Sequence, residues 1–87
     1  MPRIEIYSTA VCPYCVAAKN LLKARGQRWE EHHIDTDPAL REAMLARSGG
    51  RRTVPQIFID DTHVGGYDDL VAADRSGRLA ELLGTQS

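Results

Sequence analysis

The chain has 87 residues, of which 43% are hydrophobic, and its formal net charge is -1. A balance so close to neutral provides no basic field for nucleic acid phosphates or anionic lipid, and no segment reaches the roughly 20 apolar residues of a membrane span. We therefore expect neither nucleic acid nor membrane partners. With no linker-like composition and no apolar leader pattern, residues 1–87 are expected to form one small cytoplasmic domain that acts as a monomer.

The N-terminal part of the chain predicts a strand followed by a helix. Residues 3–8 alternate Ile4 and Ile6 with other side chains, which is the period of a strand with one buried face. Residues 13–25 place apolar side chains, Val16 among them, at helical spacing, with a proline in the first turn and a glycine after the last. Both cysteines of the chain lie at the junction between this strand and this helix.

A second strand and a second helix are predicted next. In residues 28–35 the apolar side chains of Trp29 and Ile34 do not follow the alternation of a strand with one buried face. We assign a strand there because the segment lies between two helical patterns. Residues 37–50 predict a helix that Asp37 opens and two glycines close. A strand, a helix and a second strand in this order predict a parallel βαβ unit.

The C-terminal half is richer in β-branched residues. Residues 53–60 and 63–66 predict two strands joined by a hairpin turn, and hence an antiparallel pair. Residues 67–77 and 78–84 predict helical segments, with Asp68 as the cap of the first. Together the elements predict an α/β fold with a four-stranded mixed sheet and about three flanking helices.

The two cysteines are predicted to be a reactive pair. Cys12 stands at a helix N-terminus, where unpaired N–H groups and the positive end of the macrodipole can lower a thiol pKa from about 8.5 to between roughly 3.5 and 7.5. Cys15 lies one turn deeper, where burial disfavours its charge. We therefore expect Cys12 to attack a disulfide and Cys15 to resolve the mixed disulfide that forms.

Two other interpretations of the cysteine pair are weaker. A structural disulfide across so short a loop removes little chain entropy. A zinc site normally needs four ligands, and His32, His33 and His63 do not show zinc-finger spacing after the two cysteines. No resident metal or bound cofactor is therefore predicted, although an iron-sulfur or metal-binding module shared between two subunits stays open as an alternative.

Three linked motifs run along nearly the whole chain: "EIYS" before "CPYC", then "TVPQIFID", then "GGYDDL". In this order and at these separations they resemble the glutaredoxins, in particular their short bacterial dithiol type. The resemblance implies a thioredoxin-like fold and an oxidoreductase that uses glutathione as co-substrate, with glutathione reductase as its indirect electron source. Its substrates would be disulfide-containing or glutathionylated proteins. A redoxin that is reduced by thioredoxin reductase remains the alternative function.

The resemblance also implies roles for individual residues. It makes Cys12 the nucleophile and Cys15 the resolving thiol, in agreement with the helix-terminus argument. The residues that it assigns to glutathione binding are Tyr14, Thr53, Val54, Pro55, Gly66, Tyr67, Asp68, Asp69 and Arg41. In that assignment Val54, which precedes a cis proline, offers its backbone to the cysteinyl part of glutathione. The start of the helical segment at residues 67–77 then receives the γ-glutamyl carboxylate on its amides and the ammonium on an aspartate.

One position departs from the family pattern. Thr9 stands three residues before the nucleophile, where many glutaredoxins carry a lysine. A cation there would favour the thiolate and attract the glycine carboxylate of glutathione. Arg41, with Arg52 as second choice, is predicted to take over the carboxylate, whereas Lys19 is predicted to be a solvated helix residue.

Overall fold

The computed structural model describes residues 2–84, which form four strands and four helices. The strands are β1 (Ile4–Ser8), β2 (Glu30–His33), β3 (Gln56–Ile59) and β4 (Thr62–Gly65). The helices are α1 (Pro13–Ala24), α2 (Pro38–Arg47), α3 (Tyr67–Ser76) and α4 (Arg78–Leu83). The predicted order of elements is confirmed, and Gly77 divides the last helical region into two helices, so that four helices flank the sheet instead of about three.

The sheet has the strand order β2-β1-β3-β4. β1 pairs in parallel with β2 and antiparallel with β3, and β3 and β4 form an antiparallel hairpin across Asp60 and Asp61. The parallel half and the hairpin half that the sequence predicts are therefore both present. Every helix between residues 2 and 84 falls short of the length and apolar content that a membrane span requires.

Two apolar clusters, one on each side of the sheet, form the core. The larger one joins inward-facing residues of β1 and β3 to α1, α3 and α4, and its buried members are Ile4, Ile6, Ala18, Leu22, Ile57, Ile59, Leu70, Ala73, Leu79 and Leu83. The smaller one lies under α2, and its buried members are Tyr7, Ile34, Met44 and Phe58. Because β1 lies inside the sheet with a cluster on each face, all five of its residues are buried. The prediction that only one face of this strand is buried was wrong.

Glu5, a charged residue of that central strand, is only 6% exposed. Arg47 Nη1 lies 3.0 Å from Glu5 Oε2, and His32 Nε2 lies 3.1 Å from Oε1. Arg47 also donates to the Tyr7 hydroxyl at 3.0 Å, so one arginine of α2 connects two buried polar groups of β1. Burial by itself would raise the pKa of Glu5, but the hydrogen bonds from His32 and Arg47 outweigh it, and the pKa lies below its ordinary value.

Arg47→Met is expected to lower the free energy of unfolding at pH 7 by about 2 kcal/mol, because it leaves the buried Glu5 carboxylate with weaker partners. Since the folded-state pKa of Glu5 is depressed, the contribution of this pair is complete above the ordinary value of 4.5 and is lost as pH falls through the folded value. Urea unfolding at pH 7 and pH 3 should therefore show a difference between native and variant that shrinks on acidification.

The control for this prediction is Arg25→Met, which breaks an ion pair between α1 and α3. Arg25 Nη2 lies 2.7 Å from Asp74 Oδ2, and the Arg25 side chain is 49% exposed. An exposed pair of this kind contributes about 0–1 kcal/mol, so this variant should lose less stability than Arg47→Met. Equal losses for the two variants at pH 7 would contradict the buried role of the Glu5 pair.

The helix ends agree with the sequence in one case and differ in another. Asp37 caps α2, accepting from the Ala39 amide at 2.9 Å, as predicted. Asp68 does not cap α3, because the helix begins one residue earlier and Gly66 is its N-cap. The neighbouring Asp69 instead turns its carboxylate back to the Gly66 amide, at 2.9 Å. The capping prediction for Asp68 was therefore wrong, since the N-cap lies two residues earlier, at Gly66.

Candidate active site

The cysteine pair lies at the N-terminus of α1. Cys12 is the N-cap residue with extended backbone, and its sulfur accepts from the Cys15 amide at 3.1 Å. The sulfur atoms of Cys12 and Cys15 are joined in a disulfide, with their Cα atoms 5.2 Å apart. Cys12 is half-buried whereas Cys15 is only 1% exposed. The predicted asymmetry between an accessible outer sulfur and a covered inner sulfur is therefore present.

This placement has a chemical consequence once the disulfide is reduced. The Cys15 N–H points at the Cys12 sulfur, and the free amides of the first helical turn add the positive end of the helix dipole. These donors favour the thiolate of Cys12, which is the nucleophilic form of a thiol. No such donor is required for Cys15, whose task as a resolving thiol needs only proximity to Cys12.

Strand pairing brings the three sequence motifs together. Tyr7 of β1 is the antiparallel partner of Gln56 in β3, so the chain just after β1 lies beside the chain just before β3. Ile57 in turn pairs with Gly65 at the end of β4, which places the start of α3 next to the same segment. Because antiparallel neighbours bring the end of one strand to the beginning of the next, the segments "CPYC", "TVP" and "GGYDD" meet at one edge of the sheet.

A cavity of about 320 Å³ opens where these segments meet. Its lining residues are Tyr14, Arg51, Thr53, Val54, Pro55, Gly66, Tyr67, Asp68 and Asp69. Cys12 Sγ lies 3.9 Å from the Val54 carbonyl oxygen, so the cavity begins beside the outer sulfur. The structure thus brings together every residue assigned to glutathione by the resemblance except Arg41, which lies on the exposed surface of α2 and does not line this cavity.

One wall of the cavity is the loop before β3. The Val54–Pro55 peptide bond is cis, as the resemblance implies. The fully buried Gln56 donates its side-chain amide to the Thr53 carbonyl at 3.0 Å and to the Thr53 hydroxyl at 3.2 Å, which fixes the loop from behind. Within the part of the chain that the structure describes, neither backbone group of Val54 makes a backbone hydrogen bond. An extended ligand could therefore pair with Val54 as an added strand would.

His63 stands behind this loop. It is half-buried and stacked on Phe58, with ring centroids 4.8 Å apart. Its Nε2 lies 2.7 Å from Gln56 Oε1, so it orients the same side chain that holds the loop. Burial keeps the pKa of His63 below its ordinary value, and the ring is neutral at pH 7.

The opposite wall of the cavity is the beginning of α3. Asp69 Oδ2 accepts from the Gly66 amide at 2.9 Å and lies 3.2 Å from Arg51 Nη1. The Gly66 amide, and then the Arg51 guanidinium, hold the pKa of Asp69 below its ordinary value, so the carboxylate stays charged. The amides of Tyr67 and Asp68 belong to the first helical turn, which leaves them available to an anion.

Arg51 is the functional candidate that the sequence analysis missed. The carboxylate partners considered there were Arg41 and Arg52, but the cavity is lined by Arg51. The Arg51 amide donates to the Ser48 hydroxyl at 3.1 Å, which fixes the backbone from which the Arg51 side chain extends. The available signal was its closeness in sequence to "TVP", which is the motif that reaches the cavity.

Lys19 also differs from its prediction as a solvated residue. Its ammonium lies 3.0 Å from Glu31 Oε2, and its side chain is 25% exposed. The fully buried Ser8 donates to the same oxygen at 2.8 Å. Burial would raise the pKa of Glu31, but these two hydrogen bonds outweigh it and lower the pKa. The result is a contact that ties α1 to the end of β1, directly before the loop that carries Cys12.

The loop between β1 and α1 is also held by Asp35, which follows β2. Its Ala10 amide donates to Asp35 Oδ2 at 3.0 Å. The Thr9 hydroxyl lies 3.5 Å from the Val11 carbonyl, and no residue from 6 to 18 carries a charge. The outer sulfur of Cys12 is therefore flanked along the chain by uncharged residues only.

Fold and site together define a class of protein. A thioredoxin-like α/β sandwich that carries a disulfide-forming cysteine pair at the N-terminus of its first helix is a dithiol oxidoreductase. The sequence profile of the Glutaredoxin family matches residues 4–64. The chain belongs to the glutaredoxin family.

Relatives and solved structures agree with this assignment. The chain is 53% identical over 83 residues to Glutaredoxin 3 of Escherichia coli strain K12, which covers 95% of this chain and 99% of the relative. It is similar to the solution structure of a glutaredoxin from Brucella melitensis, with a TM-score of 0.83, 47% identity and coverage of 98% and 91% of the two chains. It is also similar to the crystal structure of a buckwheat glutaredoxin-glutathione complex, with a TM-score of 0.85, 31% identity and coverage of 95% and 77%.

Proposed function

We propose that this glutaredoxin is a monomeric cytoplasmic enzyme that uses glutathione to reduce protein disulfides and protein-glutathione mixed disulfides. The observation that carries the proposal is the cavity that begins at Cys12 and ends at the N-terminus of α3. Glutathione is an extended peptide with a thiol, carboxylates and an ammonium group. The cavity offers a reactive sulfur, an unpaired strand-like backbone at Val54, helix-terminal amides and carboxylates in matching order. The similarity to a glutaredoxin solved with glutathione supports the same conclusion.

In the proposed reaction with a glutathionylated protein, the Cys12 thiolate attacks the glutathione sulfur. The original S–S bond breaks, the protein leaves as a thiolate that takes a proton from water, and Cys12 becomes joined to glutathione. The thiolate of a second glutathione attacks the sulfur of the bound one, which releases oxidised glutathione and restores the Cys12 thiolate. Each turnover thus consumes one reduced glutathione and forms one oxidised glutathione, whose other half comes from the substrate, and glutathione reductase reduces that product with electrons from NADPH.

A protein disulfide requires the second cysteine. Cys12 attacks one sulfur of the disulfide and forms a mixed disulfide with the protein, whose other sulfur leaves as a thiol. Cys15 then attacks the Cys12 sulfur, releasing the reduced protein and producing the Cys12–Cys15 disulfide. Two glutathione molecules reduce this disulfide in turn. In this scheme the disulfide present in the structure is the oxidised end of the cycle.

The proposal is tested by supplying electrons through each of two routes. With reduced glutathione, glutathione reductase and NADPH, the protein is expected to turn over the mixed disulfide of glutathione with hydroxyethanethiol, measured as loss of NADPH absorbance. A second arm replaces glutathione and its reductase with thioredoxin reductase and is expected to show no comparable rate. Turnover in the second arm alone would assign the alternative, a redoxin reduced by thioredoxin reductase.

Asp69→Asn is expected to raise the KM for a glutathionylated substrate about five- to tenfold, because it removes a charged partner for the ligand ammonium. The amide oxygen can still accept from Gly66, so α3 keeps its start. The rate at which iodoacetamide alkylates Cys12 should change less than twofold. Steady-state kinetics and the alkylation rate together measure recognition and thiol reactivity separately.

The matched control is Asp68→Asn, which makes the same change of charge in the next residue of the same cavity wall. Asp68 does not bond the Gly66 amide, so its replacement isolates the effect of charge alone. If Asp68→Asn raised the KM while Asp69→Asn left it unchanged, the contact with the ligand ammonium would be assigned to Asp68 instead of Asp69. Unchanged KM values in both variants would remove this segment from glutathione recognition.

A further inference from the structure

Three large apolar side chains stand exposed at the active site. Among residues 2–84 the exposed large hydrophobic residues are Val11 at 90%, Tyr14 at 63% and Val16 at 52%, and all lie within four residues of Cys12. Val16 fits the helical spacing of the apolar residues in α1, yet its side chain is exposed. Exposed apolar side chains that gather at one place mark interaction surfaces.

We call these three residues the apolar collar, because all of them are exposed and lie within four residues of Cys12 in the chain. Val11 directly precedes Cys12 in the chain, and Val16 lies one turn along the helix on the same face as Cys12. Tyr14 is the member of the collar that also lines the cavity, with its ring centroid 6.0 Å from that of Tyr67. The charged groups of the site, including Asp69, line the cavity and not the collar.

Thiol-disulfide exchange at Cys12 requires a protein substrate to come into contact with the collar. A thiolate that attacks a disulfide must come into contact with one of its sulfur atoms, so the residues next to the substrate cysteine must lie against the surroundings of Cys12. In a protein-glutathione mixed disulfide the glutathione half is proposed to occupy the charged cavity. The protein half is then left to the uncharged segment around Cys12, whose exposed large apolar side chains are those of the collar.

We propose that the apolar collar of Val11, Tyr14 and Val16 selects protein substrates whose target cysteine is flanked by apolar, uncharged residues. This inference rests on the proposed function and names its substrate class. Apolar flanks gain from burial against the collar, whereas a charged flank loses water there and finds no opposite charge on the three collar side chains. The collar therefore selects by attraction of one kind of segment and by rejection of the other.

The test uses two glutathionylated peptides that are identical except that leucine or aspartate flanks the modified cysteine. The native protein is expected to process the leucine peptide with about tenfold higher kcat/KM. In the double variant Val11→Ser, Val16→Ser this preference should fall below about threefold, through loss of rate on the leucine peptide. Serine is uncharged, so the electrostatic surroundings of the Cys12 thiolate are preserved.

Two controls separate the collar from general damage. The small mixed disulfide of glutathione and hydroxyethanethiol has no residues beside its sulfur that could pack on Val11 or Val16, so its kcat/KM should change less than twofold in the double variant. Ala24→Ser makes a similar polar change on the exposed far end of α1 and should leave both peptides unaffected. Thermal unfolding verifies that each variant is folded, and the single variant Val11→Ser, which lies outside the helix, should retain about half of the effect on a logarithmic scale.

Equal kcat/KM of the native protein for the two peptides would overturn the inference, as would a preference for the aspartate peptide. A loss in the double variant that is as large on the small mixed disulfide as on the leucine peptide would also overturn it. Failure of the proposed function would be a different result, namely no turnover of any glutathione mixed disulfide by the native protein.

Discussion

Cys12→Ser is expected to lower kcat/KM by at least about a thousandfold for both glutathionylated proteins and protein disulfides. A hydroxyl at this position is a far weaker nucleophile than a thiolate. Cys15 cannot substitute for it, since that residue is only 1% exposed. Cys15→Ser should behave differently, retaining glutathionyl transfer within about threefold while losing most of the reduction of protein disulfides, because transfer needs one sulfur and disulfide reduction needs two.

The measurement compares both single variants with the reduced native protein, since neither variant can form the internal disulfide. One assay follows removal of glutathione from a glutathionylated peptide, and the other follows reduction of a peptide with an internal disulfide. Near-native activity of Cys12→Ser in either assay would exclude it as the nucleophile. Loss of both activities in Cys15→Ser, with an unchanged melting temperature, would show that Cys15 takes part in the glutathionyl transfer as well.

The elements of this fold could be predicted because their signals are local. The alternation in residues 3–8, the helical spacing that ends before Gly26 and the aspartate that opens α2 each depend on neighbours a few positions away. The strand order was constrained by the same signals, since a helix between two strands favours a parallel pair and a two-residue turn favours a hairpin. Boundaries shifted by only a few residues, as at the end of α2, which stops at Arg47.

Burial of individual side chains was less predictable because it depends on distant partners. From the sequence, Glu5 is expected on a solvent-exposed strand face. Its burial depends on Arg47, which is 42 residues away in the chain and lies 3.0 Å from its carboxylate. Val16 satisfies the helical period, but the first turn of α1 leaves both Tyr14 and Val16 exposed. A periodic pattern indicates which residues share a face, not how far the neighbouring elements extend over it.

The candidate site was predicted mainly from linked motifs, and its one missed member shows the limit of that method. The motif residues meet because β1, β3 and β4 pair at the same edge of the sheet. Arg51 lies outside the quoted motifs, and by position only Arg41 and Arg52 were considered as carboxylate partners. The ion pair with Asp69 at 3.2 Å, which no sequence spacing specifies, is what places Arg51 and not Arg52 or Arg41 at the cavity.

The second large effect is expected from the glycine that ends β4. Gly65 has a φ of 118°, a conformation that side-chain-bearing residues rarely adopt. A Cβ at this position would lie 2.8 Å from Asp69 Cβ, 2.6 Å from Asp69 Cγ and closer still to Oδ2. Gly65→Ala is therefore expected to cost about 3 kcal/mol from backbone strain and overpacking, which corresponds to a fall of roughly 10–20 °C in melting temperature.

The adjacent glycine provides the matched control. Gly66 has a φ of -85°, and a Cβ there would make ordinary contacts with the Pro55 carbonyl oxygen at 3.5 Å and Arg51 Nη2 at 3.6 Å. Gly66→Ala should thus stay within about 1 kcal/mol of the native stability. Because that methyl group would stand between two residues of the cavity wall, we expect this variant to raise the KM for glutathionylated substrates without unfolding the protein.

A double variant tests whether the clash with Asp69 is the cause. Removing the Asp69 carboxylate by Asp69→Ala eliminates the contacts with Cγ and Oδ2, so Gly65→Ala, Asp69→Ala should lose less stability than the sum of the two single losses. Strictly additive losses would attribute the effect to backbone strain at Gly65 together with the contact to the Cβ of residue 69, which alanine retains. A Gly65→Ala protein as stable as the native one would mean that β4 and α3 can move apart, and the cavity wall that Asp69 forms would then not be fixed by this close approach.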